Sequence, residues 1–314
     1  MNIDPSKQIL KQDSIMVLDG ALATELEAHG CDLDDPLWSA KVLLEKPEAI
    51  QAVHKEYFQA GADCAITASY QATLPGFVER GFSEEQAISL IKKTVELARS
   101  ARDEYWEETG AVNKVKPLVA ASIGPYGAYL ADGSEYIGNY GVTDQQLIDF
   151  HRPRMKAVVE AGADLLAMET IPSFQEARVL ASLLKEFPES FAWVSFTLKD
   201  GGKISDGTAL QTCVKELNDH EQIAAIGVNC APMETAADAV AVLRAYTDKP
   251  VLMYPNSGET YDPVSNTWHG EGAEVCFDDA SERWVVRGAS IIGGCCRTTP
   301  DHIRRLTEKW KMKG

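Results

Sequence analysis

The residues with the clearest chemical potential are two adjacent cysteines near the C-terminus. They lie in Ile291-Ile292-Gly293-Gly294-Cys295-Cys296-Arg297-Thr298-Thr299-Pro300. Adjacent residues of a regular strand point to opposite faces. Cys295 and Cys296 can therefore address one point only if the chain leaves the strand there, and Gly293 and Gly294 permit that. Taken alone, the pair reads three ways: two core thiols, a strained vicinal disulfide, or two thiolates of a metal site whose third ligand lies elsewhere.

The surrounding elements narrow the choice. Short apolar runs alternate with amphipathic helical stretches along the whole chain. The strands read as 15–18, 65–70, 118–123, 165–168, 192–198, 225–229, 251–254 and 289–292. Helices follow each of them. Three open on capping boxes, at Ser83–Gln86, Thr143–Gln146 and Ser173–Glu176. A helical stretch over 38–60 breaks near Pro47. Residues 126–141, rich in Gly and Tyr, and 259–275 read as loops. Strict alternation implies a parallel sheet with right-handed crossovers. Eight units in 314 residues point to an α/β fold, a single-domain (β/α)8 TIM barrel over 1–314 with a short flexible N-terminus at 1–13. An open doubly wound sheet fits less well, because Asp19-Gly20-Ala21-Leu22-Ala23-Thr24 after the first strand is no phosphate loop.

Barrel active sites gather at the C-terminal strand ends. Here those ends carry Asp19-Gly20, Tyr70-Gln71, Gly124-Pro125, Glu169-Thr170, Cys230, Asn256 and Cys295-Cys296. Cys230, on the sixth strand, supplies the third thiolate. Three thiolates suit zinc and leave a fourth position open. They carry more charge than Zn2+ neutralises, so such a metal is better at lowering the pKa of an incoming thiol than at activating water. Asp19 and Glu169, at the same mouth, read either as capping or salt-bridging groups or as a cradle for an ammonium. A thiol plus an ammonium describes an amino-acid thiol.

These motifs resemble the homocysteine S-methyltransferase family. The stretches that carry the resemblance are Leu18–Leu26, Ala68–Thr73, Ser122–Tyr129, Glu169-Thr170, Gly227–Cys230, Tyr254–Gly258 and Gly293–Pro300. The resemblance is greatest to the branch using S-methylmethionine. It implies one Zn2+ per chain on Cys230, Cys295 and Cys296, with Asp19 and Glu169 on the homocysteine amino group. It implies methyl transfer from S-methylmethionine, or S-adenosylmethionine, to homocysteine, giving methionine. Gly20, Ser69, Tyr70, Thr170 and Asn256 are expected on the substrate side. Tyr126 and Tyr129 are expected to face the sulfonium donor, because aromatic faces attract cations. Tyr136 and Tyr140 are further candidates in the same loop. Trp268 and His269 could form an opposite wall, with His269 a weaker fourth metal ligand than the homocysteine sulfur.

The net charge of −17 argues against nucleic acid and anionic membranes as partners. Met1–Ser14 has no apolar signal region, and no run is long enough to span a membrane. Seven dispersed cysteines fit a reducing cytoplasm. Small-molecule substrates and a monomer or dimer are expected. Three other readings stay open: a betaine-type methyltransferase, the homocysteine module of a cobalamin-dependent methionine synthase, and a thiol redox or metal-binding protein. Cys31, Cys64, Cys213 and Cys276 need no special role.

Overall fold

Eight short apolar segments, buried on both faces as parallel strands require, build the centre of the molecule. They are β1 (Met16–Val17), β2 (Cys64–Ile66), β3 (Leu118–Ile123), β4 (Leu165–Ile171), β5 (Ala192–Phe196), β6 (Ile223–Asn229), β7 (Val251–Tyr254) and β8 (Ala289–Ile292). The computed structural model describes residues 3–33, 38–110, 115–258, 260–262, 267–269 and 277–311. The strands pair in parallel in the order β1-β8-β7-β6-β5-β4-β3-β2. A parallel bridge from Leu18 to Cys64 joins β1 to β2 and closes the ring. The expected (β/α)8 barrel is therefore the architecture.

Helices cover the barrel, and two of the expected capping boxes are complete, at Ser83 and Thr143. At the third, Ser173 caps its helix. The Glu176 carboxylate instead accepts from the Tyr126 N–H, His151 and Tyr140. Its side chain serves tertiary structure rather than the cap.

The core has two layers. Inside the barrel, Met16, Leu118, Leu165, Trp193, Leu252 and Ile291 pack against one another. A larger apolar layer lies between strands and helices. Ile9 joins the inner layer. It belongs to a helix at Ser6–Asp13 and is 1% exposed. Residues 6–13 of the stretch expected to be flexible form a helix whose Ile9 is buried against the barrel.

Four local readings also change. The fifth strand ends at Phe196, and Leu198–Asp200 pairs antiparallel with Lys203–Ile204. Within the long 259–275 loop, Thr260–Asp262 and Thr267–His269 form an antiparallel ladder. The side chains of Trp268 and His269 lie outside the described residues, as does Cys276. Short helices at Leu22–Ala28 and Leu74–Glu79 follow β1 and β2. The 126–141 segment contains a helical turn at Tyr126–Leu130 and a 3-10 turn at Ser134–Tyr136. No helix among the described residues is long and apolar enough to cross a membrane.

Candidate active site at the barrel mouth

Cys230 follows β6, and Cys295 and Cys296 follow β8. The end of β7 stitches them together. Cys230 N–H donates to Tyr254 O (3.3 Å), Cys295 N–H to Pro255 O (2.8 Å), and Ser257 N–H to Cys296 O (3.1 Å). Gly294 N–H donates to Asp19 O (3.0 Å), fastening the same turn to β1. The result is convergence of all three sulfurs within 4.8 Å of one another. Cys230 and Cys296 are 3.6 Å apart, and Cys295 and Cys296 are 4.0 Å apart. Ligands about 2.3 Å from a tetrahedral zinc lie roughly 3.8 Å from each other, so this donor set fits such an ion.

The glycines before the cysteines act differently from the expected backbone role. The left-handed conformations fall at Cys230 (φ 48°) and Arg297 (φ 66°) instead. Gly293 and Gly294 are needed for close approach. A Cβ on Gly293 would sit 2.6 Å from Leu18 Cβ, and one on Gly294 would sit 2.2 Å from Thr298 Oγ1. Thr170 is a third strained position (φ 61°). Non-glycine residues held there cluster at functional sites.

The thiols share their protons unequally. Hydrogen bonds from Cys295, Cys296 and Tyr136 stabilise a thiolate on Cys230 and lower its pKa. Donation to that thiolate, reinforced by burial, holds the Cys295 and Cys296 thiols up. A metal that bound all three would displace the remaining protons.

Across the mouth, Asp19 and Glu169 are both buried. Asp19 Oδ2 accepts from Ile66 N–H at 2.8 Å. Burial pushes its carboxyl well up, the Ile66 bond opposes that, and Glu169 adds to it. Glu169 accepts from Ser122 Oγ and, at 3.1 Å, from Tyr254 OH. Burial outweighs both bonds and raises it to about 7. Two buried carboxyls with raised pKa values at one mouth would gain from an arriving cation.

Behind Glu169 runs a polar network inside the barrel. Tyr254 OH lies 2.6 Å from Ser195 Oγ and receives Trp193 Nε1–H at 3.2 Å. Asn229 bridges to Thr170, accepting its N–H and donating Nδ2–H to its Oγ1, both at 2.8 Å. Ser69 Oγ donates to Ser122 O at 2.8 Å. Ser69 and Thr170 thus sit in the support of the site. Gly20 lies against Thr298 and Tyr57, where a Cβ would meet hydroxyl oxygens at 2.7 and 2.9 Å. Asn256 is 8% exposed, and its Oδ1 is buried without a partner. A buried acceptor left open beside the cysteine turn invites a donor from substrate.

The aromatic residues divide. The Tyr126 and Tyr129 rings pack on Phe150 at 4.9 and 5.4 Å between centroids. The Tyr129 hydroxyl bonds Glu79. Those contacts engage both side chains with helices outside the barrel. Tyr136 instead places its hydroxyl 3.5 Å from Cys230 Sγ. Tyr70 bonds Thr170 and feels the charges of Glu135, Cys230 and Glu169. Sequence reading passed over Glu135, Ser122, Ser195, Asn229 and Tyr254. For the last four the available signal was polar residues within otherwise apolar strands; Glu135, on a loop turn, carried none.

A family model described as homocysteine S-methyltransferase matches residues 16–310. The chain belongs to the homocysteine S-methyltransferase family. It is 54% identical to the homocysteine S-methyltransferase YbgG of Bacillus subtilis, over 97% of each chain. It is 52% identical to the homocysteine S-methyltransferase of Escherichia coli, over 96% of this chain and 97% of that one. The metallated form of the homocysteine methyltransferase MmuM from Escherichia coli superposes with a TM-score of 0.89 at 48% identity, covering 97% of this chain and 99% of the other. As a homocysteine S-methyltransferase, the protein is a methyltransferase enzyme, and the barrel mouth is its candidate active site.

Proposed function

We propose that this homocysteine S-methyltransferase takes its methyl group from a sulfonium donor, S-methylmethionine before S-adenosylmethionine, and uses one zinc ion held by Cys230, Cys295 and Cys296. The observation that carries the reading is the triad itself, whose 3.6 and 4.0 Å sulfur separations suit a tetrahedral ion with an open fourth position. A zinc ion bound there would supply Lewis acidity that keeps the homocysteine sulfur deprotonated at neutral pH.

The chain's own residues do the rest. Asp19 and Glu169 take the homocysteine ammonium, whose charge offsets the cost of ionising two buried carboxyls. Ser122 and Tyr254 fix the Glu169 carboxylate in place. Asn256 Oδ1 offers an additional acceptor to the amino acid. The homocysteine sulfur then attacks the donor methyl carbon in line with the departing sulfur. The thiol proton goes to solvent, the new S–C bond forms as the old one breaks, and the donor leaves as a neutral thioether. No general acid is needed. Catalysis rests on positioning two substrates, and Ser134–Tyr136 closes the donor side.

The test is a panel of S-methylmethionine, S-adenosylmethionine, betaine and methyltetrahydrofolate, each with homocysteine and scored for methionine, with metal analysis alongside. One zinc per chain, activity lost on chelation and restored by zinc, and S-methylmethionine as best donor are expected. A metal-free, fully active enzyme would overturn the zinc assignment. Preference for betaine or methyltetrahydrofolate would overturn the donor assignment.

A further inference from the structure

We infer that Glu135 is the anionic contact for the positive charge of the sulfonium donor, and so the residue that selects a charged methyl donor. The inference rests on the sulfonium-donor reading above.

Glu135 lies on the 3-10 turn Ser134–Tyr136 of the aromatic loop, the turn that reaches Cys230 through Tyr136. Its Oε2 is buried and has no hydrogen-bond partner. A carboxylate oxygen left so in the interior costs stability. Such an atom calls for a ligand. The surroundings suit a cation. The charge of Cys230 reaches the Glu135 carboxyl, the Glu135 charge reaches Tyr70, and Tyr136 next to it touches Cys230. Tyr70 and Tyr140 both feel the Glu135 charge, and Tyr136 is its neighbour in the chain; aromatic faces of this kind attract onium groups. Burial, with Cys230 adding to it, holds the Glu135 carboxyl at about 7. An arriving cation would favour its ionised form.

The turn is held where this contact needs it. Gly127 lets the chain pass under it, since a Cβ there would lie 2.5 Å from Glu135 N. Thr197 Oγ1 donates to Glu135 O at 3.4 Å. At Gly138 (φ 82°), an added Cβ would lie 2.5 Å from Pro172 O, so the following residues dock on the end of β4. In this reading Glu169 and Asp19 take the first substrate and Glu135 takes the second. Two cationic substrates thus meet separate carboxylates.

The donor charge is disappearing in the transition state, as sulfonium becomes thioether. A carboxylate beside it stabilises the bound donor more than the transition state, so its loss falls on KM rather than lowering kcat.

The experiment compares wild type, Glu135→Gln and Glu135→Asp as zinc-loaded full chains, varying S-methylmethionine at saturating homocysteine and the reverse. Glu135→Gln should raise the donor KM tenfold or more. The homocysteine KM should stay within twofold and kcat within about threefold. Glu135→Asp should fall between. The melting temperature of Glu135→Gln should equal or exceed that of wild type, because an unpartnered buried charge is removed. An unchanged donor KM overturns the inference. Equal rises in both KM values, or a lowered melting temperature with uniform loss of activity, assign Glu135 to loop structure and overturn it too. Wild type inert to both sulfonium donors fails the donor reading itself, and the inference with it. Wild type active on sulfoniums with an unaffected Glu135→Gln variant fails the inference alone.

Discussion

The phenol oxygen of Tyr136 lies 3.5 Å from the sulfur of Cys230, although 94 residues separate them in the chain. This contact joins the loop after β3 to the triad cysteine at the end of β6. A hydrogen bond to a charged sulfur contributes roughly 1–2 kcal/mol. Tyr136→Phe should therefore lower kcat/KM about 5- to 30-fold while leaving bound metal at its wild-type level. Tyr129→Phe, whose hydroxyl meets Glu79 at the surface, should stay within twofold. Steady-state kinetics with metal analysis on both variants checks the contrast, and equal effects would remove the special role of Tyr136.

Glu169 gives a pH dependence of definite sign. Burial raises its carboxyl from 4.5 to about 7 in the folded chain. Between those values the folded state holds more protons than the unfolded one, so stability falls as pH rises through that window. Glu169→Gln removes the effect. Melting curves of the two proteins should coincide near pH 4.5 and separate above it. The variant should be the more stable at pH 8 by up to about 3 kcal/mol. Homocysteine binding should change the other way, because only the ionised carboxyl takes an ammonium. The variant should lose affinity at pH 8, measured by calorimetry.

Glu176 couples the loop to the barrel. Its Oε1 accepts from Tyr126 N–H (2.6 Å) and pairs with His151 Nε2 (2.8 Å), and its Oε2 accepts from Tyr140 OH (3.0 Å). Fully buried Arg154 continues the network, with Nη2 at 2.9 Å from His151 Nδ1 and Nη1 donating to Tyr70 O at 3.1 Å. Removing one partner from a buried ionic network costs about 3–5 kcal/mol. Glu176→Gln should show a melting temperature lowered by about 5–8 °C, and a raised donor KM because Tyr126–Tyr140 loosens. Wild-type melting would show that the network carries no such energy.

Gly294 tests how the triad is shaped. Its missing side chain makes room for Thr298, whose Oγ1 donates to Cys295 O at 2.6 Å. Gly294→Ala keeps every sulfur yet forces that turn to move. Zinc affinity, measured by competition with a chromogenic chelator, should fall tenfold or more. Unchanged affinity would show that the turn can yield without moving Cys295 or Cys296.

The barrel and its chemical inventory were legible in the sequence, because both follow from local rules. Apolar runs alternating with capped helices dictate a parallel sheet, and strand ends then put Asp19, Glu169, Cys230 and Cys295-Cys296 at one mouth. Tertiary structure decided what those residues do to one another. The Tyr254–Ser257 backbone brings three sulfurs into range through hydrogen bonds that no spacing encodes. Glu176 looked like a helix cap and became a tie for a distant loop. Tyr126 and Tyr129 pack on Phe150, the Tyr129 hydroxyl bonds Glu79, and Tyr136 reaches Cys230. The physical reason is that periodicity fixes which face a strand or helix buries. The side chains of an irregular loop are placed only by long-range close approach, such as Gly127 beneath Glu135 and Gly138 against Pro172.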